Sequence, residues 1–265
     1  MLANLAVAAS HCPKLLVDDE AGRSGRALVD RQKHPGSMTE SREAEVGWIC
    51  MRAARAVAFD FNGTLSHDEP ILYAVYRDMF ARAGRPLSPS DYYGTLAGLT
   101  EKTIIGTWLG VEGAALERLV DQRVERYLEL CADGATVSES TREAVAQAAE
   151  HVPVVVVSGA FRREIEPVLA GAGLDRHVRA IVAGDDVDRG KPDPAGYLRA
   201  LELIGDGVLP QEVVAVEDTE AGVSSAKAAG LYCVAVLGTH APERLRDADE
   251  LVEAIDIGLM RRLLG

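Results

Sequence analysis

Cysteine is scarce in this 265-residue chain, and its four copies, Cys12, Cys50, Cys131 and Cys233, lie far apart and form no C-x-x-C pair. That argues against a zinc knuckle or a disulfide framework and fits a reducing cytoplasm. Basic residues are also outnumbered: 28 Lys and Arg face 41 Asp and Glu, a formal net charge of −13. Such a surface repels polyanions, so nucleic acid is not an expected partner. No apolar run approaches the ~18 residues of a membrane span. The apolar opening Leu2 to Ala9 lacks the basic flank and cleavage site of an export signal, so no membrane association is expected. Internal repeats and low-complexity tracts are absent too. What is present is an apolar content of 48%, enough for a substantial interior in one large domain or a core with an insertion.

Residues 1–52 mix Gly22, Gly25, Pro35 and Gly36 with scattered charges and hold no sustained period. They are expected to form a poorly ordered extension, with Met38 or Met51 as alternative natural starts. From Ala54 a short β-prone run ends at Asp60 and gives way to Asn62-Gly63, a strand followed by a loop. Further apolar runs at 152–157, 181–183, 213–216 and 232–237 read as strands buried on both faces. Helical stretches alternate with them: Ser140 to Glu143 reads as a capping box, and the stretch 220–229 ends at Gly230. Alternation of this kind predicts an open parallel sheet flanked by helices, with its ligand crevice beyond the carboxyl ends of the strands. Residues 67–137 carry helical patterns with no comparable strand and read as a helical insertion. The core is then expected at 53–66 and 138–240, with a helical segment over 241–265.

The chemistry-bearing residues fall on the rim that this topology predicts. Asp60 ends the first strand, and Gly63 lets the backbone turn closely around a ligand. Ser158-Gly159 follows the second strand, Lys191 follows the turn-rich stretch 184–190, and Glu217-Asp218 follows the strand at 213–216. In this order and wording, Asp60 with Gly63-Thr64, then Ser158, then Gly190-Lys191-Pro192-Asp193, then Glu217-Asp218-Thr219, the chain resembles the haloacid dehalogenase superfamily. The resemblance spans about residues 54–238 and is nearest to the branch that resembles β-phosphoglucomutase and phosphoglycolate phosphatase.

The resemblance implies a Rossmann-like α/β core, a helical cap over 67–137 and hydrolysis of a small phosphorylated metabolite. It makes Asp60 the nucleophile that forms an aspartyl-phosphate, with Asp60, Asp218, the Asn62 backbone oxygen and Glu217 as the Mg²⁺ site. Ser158, the Gly159 amide and Lys191 are implied as phosphoryl-oxygen partners, with Thr64 beside them. Local positive features of this kind answer the objection that an acidic surface repels an anionic substrate.

One position departs from the family pattern. Phosphatases of this kind carry a second Asp two residues after the nucleophile as general acid and base, and here that residue is Asn62. A positioned acid or base contributes roughly 10² to 10⁴ in rate, so the group must come from elsewhere or the substrate must have a good leaving group. His67, Asp68 and Glu69 are the candidates next in the chain. A second reading is carbon-phosphorus cleavage like that of phosphonoacetaldehyde hydrolases, with Lys102, the lysine of the insertion, as Schiff-base former. A third is a binding or regulatory module that keeps the site but not turnover. Arg85 and Lys102 are candidate anchors for a second phosphate, and packing is the expected role of Tyr73, Tyr76, Tyr92, Tyr93 and Trp108.

Overall fold

A computed structural model describes residues 53–205 and 207–265; the expectations for the extension at 1–52 lie outside these. In chain order the elements are β1 (Ala56–Phe59), α1 (Glu69–Arg82), α2 (Pro89–Asp91), α3 (Glu101–Leu109), α4 (Gly113–Cys131), α5 (Glu139–Ala149), β2 (Val154–Val157), α6 (Arg162–Gly171), β3 (Ala180–Val182), α7 (Ala195–Ile204), β4 (Val213–Glu217), α8 (Glu220–Ala228), β5 (Tyr232–Val236), β6 (Glu250–Val252) and α9 (Ile257–Leu264). The strands form one parallel sheet in the order β3-β2-β1-β4-β5-β6.

Side chains alternate across the strands, and both faces of the sheet are covered. Val57, Phe59, Val154 and Val156 face one apolar layer with α5, α6 and α9, while Ala56, Ala58, Val155 and Val157 face a second with α7 and α8. Every residue of β1, β2 and β4 is buried as a result, which is why these segments read as continuous apolar runs rather than alternating ones. The order in which strands are added reverses between β1 and β4, and there the carboxyl edge of the sheet opens the crevice that holds Asp60.

Between β1 and β2 the chain is helical, and α1 and α3 both pack on α4 to form an inserted cap. The buried faces of these helices are apolar at Leu72, Val75, Tyr76 and Phe80 of α1 and at Val120, Val124 and Tyr127 of α4.

Two local expectations are corrected. The N-cap of α5 is Ser138, whose hydroxyl accepts from the Thr141 amide, whereas Ser140 lies inside the helix and donates to the Ile255 carbonyl. Ser138 wins because it keeps an extended backbone at the helix entry. The segment 241–265 is not wholly helical: β6 joins the sheet beside β5 before α9 packs against α5. Only Glu250-Leu251-Val252 forms that strand, too short and too polar to stand out as an apolar run.

Candidate active site

Asp60 sits one residue beyond β1, where its amide extends the ladder by donating to the Val216 carbonyl at 2.9 Å. Its side chain lines the crevice at the carboxyl edge and is 10% exposed, reachable by a ligand yet largely shielded from water. Gly63 follows with a φ of 74°, and a Cβ there would overlap the Asp218 carboxylate, so the loop closes this tightly only with glycine. Gly222 plays the same part on the other side: a Cβ at that position would strike the Glu217 carboxylate.

Lys191 reaches across from the loop after β3. Its ammonium donates to Asp60 Oδ1 at 2.5 Å and to the Val157 carbonyl at 3.0 Å, and lies 2.6 Å from Glu217 Oε1. Burial opposes its charge, yet the Asp60 and Glu217 carboxylates hold its pKa above the usual lysine value, so it stays cationic. Glu217 also accepts from the Tyr197 hydroxyl at 2.5 Å. Ser158 follows β2, its hydroxyl accepting from the Ala160 amide at 3.1 Å, and lines the same cavity as Gly159, Lys191, Asp60 and Asn62.

Asp60, Glu217 and Asp218 offer carboxylate oxygens within 4.8 Å of one another. Glu217 Oε2 and Asp218 Oδ2 are buried without a hydrogen-bond partner. Burial, and then the neighbouring Asp60 and Glu217, push the Asp218 carboxyl far above its ordinary range, an expensive arrangement for a protein with nothing to bind there. Hard oxygen donors gathered this way, with unmatched negative charge, fit a divalent cation.

The other expected residues divide. Thr64 does not line the cavity; its buried hydroxyl donates to Asp218 Oδ1 at 3.3 Å and so supports the acidic group rather than a substrate. Lys102 is also displaced from its expected role, being exposed and paired with Glu117 at 2.7 Å on the cap surface. Arg85 is exposed as well, with its carbonyl accepting from the Trp108 indole at 2.9 Å. Trp108 packs on Phe80, in keeping with its expected packing role. Tyr76 and Tyr92 are packed in the core but also form part of the cavity wall.

The three acid candidates separate cleanly. His67 is exposed. Asp68 is fully buried away from the cavity and accepts from Asn62 Nδ2 at 2.9 Å, from the Tyr127 hydroxyl at 2.5 Å and from the Gly63 amide at 3.3 Å. It fixes the Asn62 amide but does not reach a ligand. Glu69, at the first turn of α1, lines the cavity with Asp60 and Asn62, and its Oε2 is buried without a partner. Burial, then the Asp68 and Asp60 carboxylates, raise its pKa to about 7, where a carboxyl can both give and take a proton.

Glu101 and Arg123 also line the cavity, and neither was singled out from sequence. A signal existed for Arg123: it shares the buried stripe of α4 with Val120, Val124 and Tyr127, where an apolar residue is the norm.

The family model for haloacid dehalogenase-like hydrolases matches residues 54–230. Validoxylamine A 7'-phosphate phosphatase of Streptomyces hygroscopicus subsp. limoneus is 29% identical over 201 residues, covering 75% of this chain and 93% of that protein. A phosphoglycolate phosphatase of Chromobacterium violaceum is 30% identical over 212 residues, 77% of this chain and 95% of the relative. Among solved structures, CbbY from Rhodobacter sphaeroides in complex with xylulose-(1,5)bisphosphate superposes with a TM-score of 0.68 at 26% identity, covering 76% of this chain and 95% of that one.

Proposed function

Because this chain belongs to the haloacid dehalogenase-like hydrolase family, we propose that it is a Mg²⁺-dependent phosphatase acting on a small phosphorylated metabolite through an aspartyl-phosphate on Asp60. The observation that carries the reading is the meeting of Asp60, Lys191, Glu217 and Asp218 at the carboxyl edge of the sheet, in contact with a cavity roofed by the cap. The relatives named as phosphatases of phosphorylated small molecules support it. The free, buried Cys131 and Cys233 suit a reducing compartment, and we place the enzyme in the cytoplasm. No helix among the described residues is long and apolar enough to cross a membrane.

Asp60, Asp218, Glu217 and the main-chain oxygen of Asn62 would hold the Mg²⁺, which when bound supplies Lewis-acid neutralisation of phosphoryl charge. The chain's own groups do the rest. A carboxylate oxygen of Asp60 attacks phosphorus as the bond to the leaving oxygen breaks. Lys191, the Ser158 hydroxyl and the Gly159 amide face the charge that builds on the phosphoryl oxygens, and one such preorganised donor is worth about 10² to 10³ in rate. Glu69 gives its proton to the departing oxygen. It then takes a proton from the water that attacks the aspartyl-phosphate, which releases inorganic phosphate and restores both carboxyl groups. Asn62 cannot transfer a proton, and Asp68 holds its amide in place.

The carbon-phosphorus reading loses its support at Lys102, since a lysine paired with Glu117 on the outer cap is not positioned to condense with a substrate carbonyl. A binding module without turnover gives no reason for a buried carboxyl near neutrality to face the nucleophile. Phosphate release from p-nitrophenyl phosphate, acetyl phosphate and a panel of sugar phosphates tests the proposal. Release that depends on both Mg²⁺ and Asp60 supports it, and a flat panel overturns it.

A further inference from the structure

Opposite the Asp60 pole, the cap wall of the cavity is built around Glu101, from the first turn of α3, and Arg123, from α4. Both are almost fully buried, at 5% and 1% exposure. The Arg123 guanidinium pairs with Glu164 of α6 and lies 3.7 Å from Glu101. Its faces are covered by the Tyr76 ring at 5.3 Å and the Tyr127 ring at 5.2 Å. It is thus held between two carboxylates and two rings and cannot swing toward a ligand.

Among the cavity-lining polar atoms without a hydrogen-bond or ion-pair partner, which also include the Tyr76 hydroxyl and Glu69 Oε2, two belong to this pair: Glu101 Oε2, an acceptor, and Arg123 Nε, a donor. A hydroxyl can satisfy both, because it donates one hydrogen bond and accepts others. A carboxylate or phosphate can only accept, and would leave Glu101 Oε2 buried and unmatched beside a second negative charge. The cations lining the cavity are Lys191 and Arg123, the first committed to Asp60 and Glu217 and the second already facing two carboxylates.

We propose that Glu101 and Arg123 form a subsite for a hydroxyl of the leaving group, so that the enzyme selects monophosphates of neutral, hydroxyl-bearing compounds and discriminates against substrates with a second acid group. The subsite belongs to the cavity described above and so depends on the phosphatase reading. It also sets this chain apart from what the names of its phosphoglycolate phosphatase relatives would suggest.

Glycerol 3-phosphate and 3-phosphoglycerate make a matched pair of probes, differing in a hydroxymethyl against a carboxylate. Their binding to the full chain carrying Asp60→Asn is measured by calorimetry in Mg²⁺, where turnover does not interfere. The expected result is at least tenfold tighter binding of glycerol 3-phosphate, with that ratio falling severalfold when Glu101→Gln is added. Equal or tighter binding of 3-phosphoglycerate, or no binding of either probe, overturns the subsite. Should the Glu101→Gln protein not fold, the ratio in the protein with an intact cap decides alone. Failure of the phosphatase reading shows separately, as absence of phosphate release from both compounds by the wild-type enzyme.

Discussion

Replacing Glu69 by Gln removes the one cavity-lining group assigned to carry protons while keeping its size. The loss should depend on the leaving group. An alkyl oxygen must be protonated as it departs, so turnover of an alkyl phosphate should fall by about 10² to 10⁴, the range of a positioned acid. A p-nitrophenyl oxygen leaves as an anion without help, so its first step should change little. Position 62 offers a rescue. Asn62→Asp alone would set a second carboxylate 2.9 Å from Asp68. Were both ionised, their repulsion would cost about 6 kcal/mol at an effective dielectric constant of about 20, so the pair would keep one proton. Combining Asn62→Asp with Asp68→Asn restores a neutral amide beside the acid and returns a proton donor to the cavity. The triple variant Glu69→Gln, Asn62→Asp, Asp68→Asn should therefore recover at least tenfold of the alkyl phosphate rate lost by Glu69→Gln. Single-turnover release of the alcohol or the phenol, which reports the first step alone and not the shared hydrolysis of the aspartyl-phosphate, gives the comparison on the two ester types. Equal losses on alkyl and aryl phosphates after Glu69→Gln, or no loss on either, would refute the role given to Glu69.

In an otherwise wild-type chain, Asn62→Asp removes a buried donor from Asp68 and should lower stability by about 1 to 3 kcal/mol, with Asp68→Asn returning most of it; thermal melts of the single and double variants check this. Because the Glu69 carboxyl is raised to about 7, its protonated form is lost as pH rises through that value, so kcat/KM for an alkyl phosphate should decline above neutrality, and Glu69→Gln should erase that limb. The same shift works on folding. Unfolded, the carboxyl titrates near 4.5, so its contribution to stability is full below that pH and lost by about 7; the Gln variant should flatten the stability profile there. Lys102→Ala should leave phosphatase rates unchanged and shift stability by under about 1 kcal/mol, as suits an exposed ion pair; a large loss of activity would return Lys102 to the site.

The sheet and the rim that carries the candidate site were legible because a buried parallel strand leaves an apolar run, and the residue after it stands at the crevice. Asp60, Ser158 and Asp218 each stand directly after a strand, and Glu217 ends one, whereas Lys191, on the longer loop after β3, was marked by the order of the motifs. The cap residues do not, since which face of a helix looks inward is set by packing between elements. Glu101 and Lys102 are adjacent at the start of α3, yet a turn of about 100° per residue sends Glu101 into the cavity and Lys102 to the surface. Thr64 shows the same limit at shorter range, since only the folded loop reveals that its hydroxyl serves Asp218. Asp68 and Glu69 are also neighbours, and the fold has one hold Asn62 and the other line the cavity.

Phosphate release from acetyl phosphate, in Mg²⁺ and in excess chelator, by the wild-type protein and by Asp60→Asn, tests the central claim most directly. The account requires release by the wild-type protein in Mg²⁺ and by neither protein in chelator, with Asp60→Asn silent throughout. Full release in chelator, or undiminished release from Asp60→Asn, would contradict it.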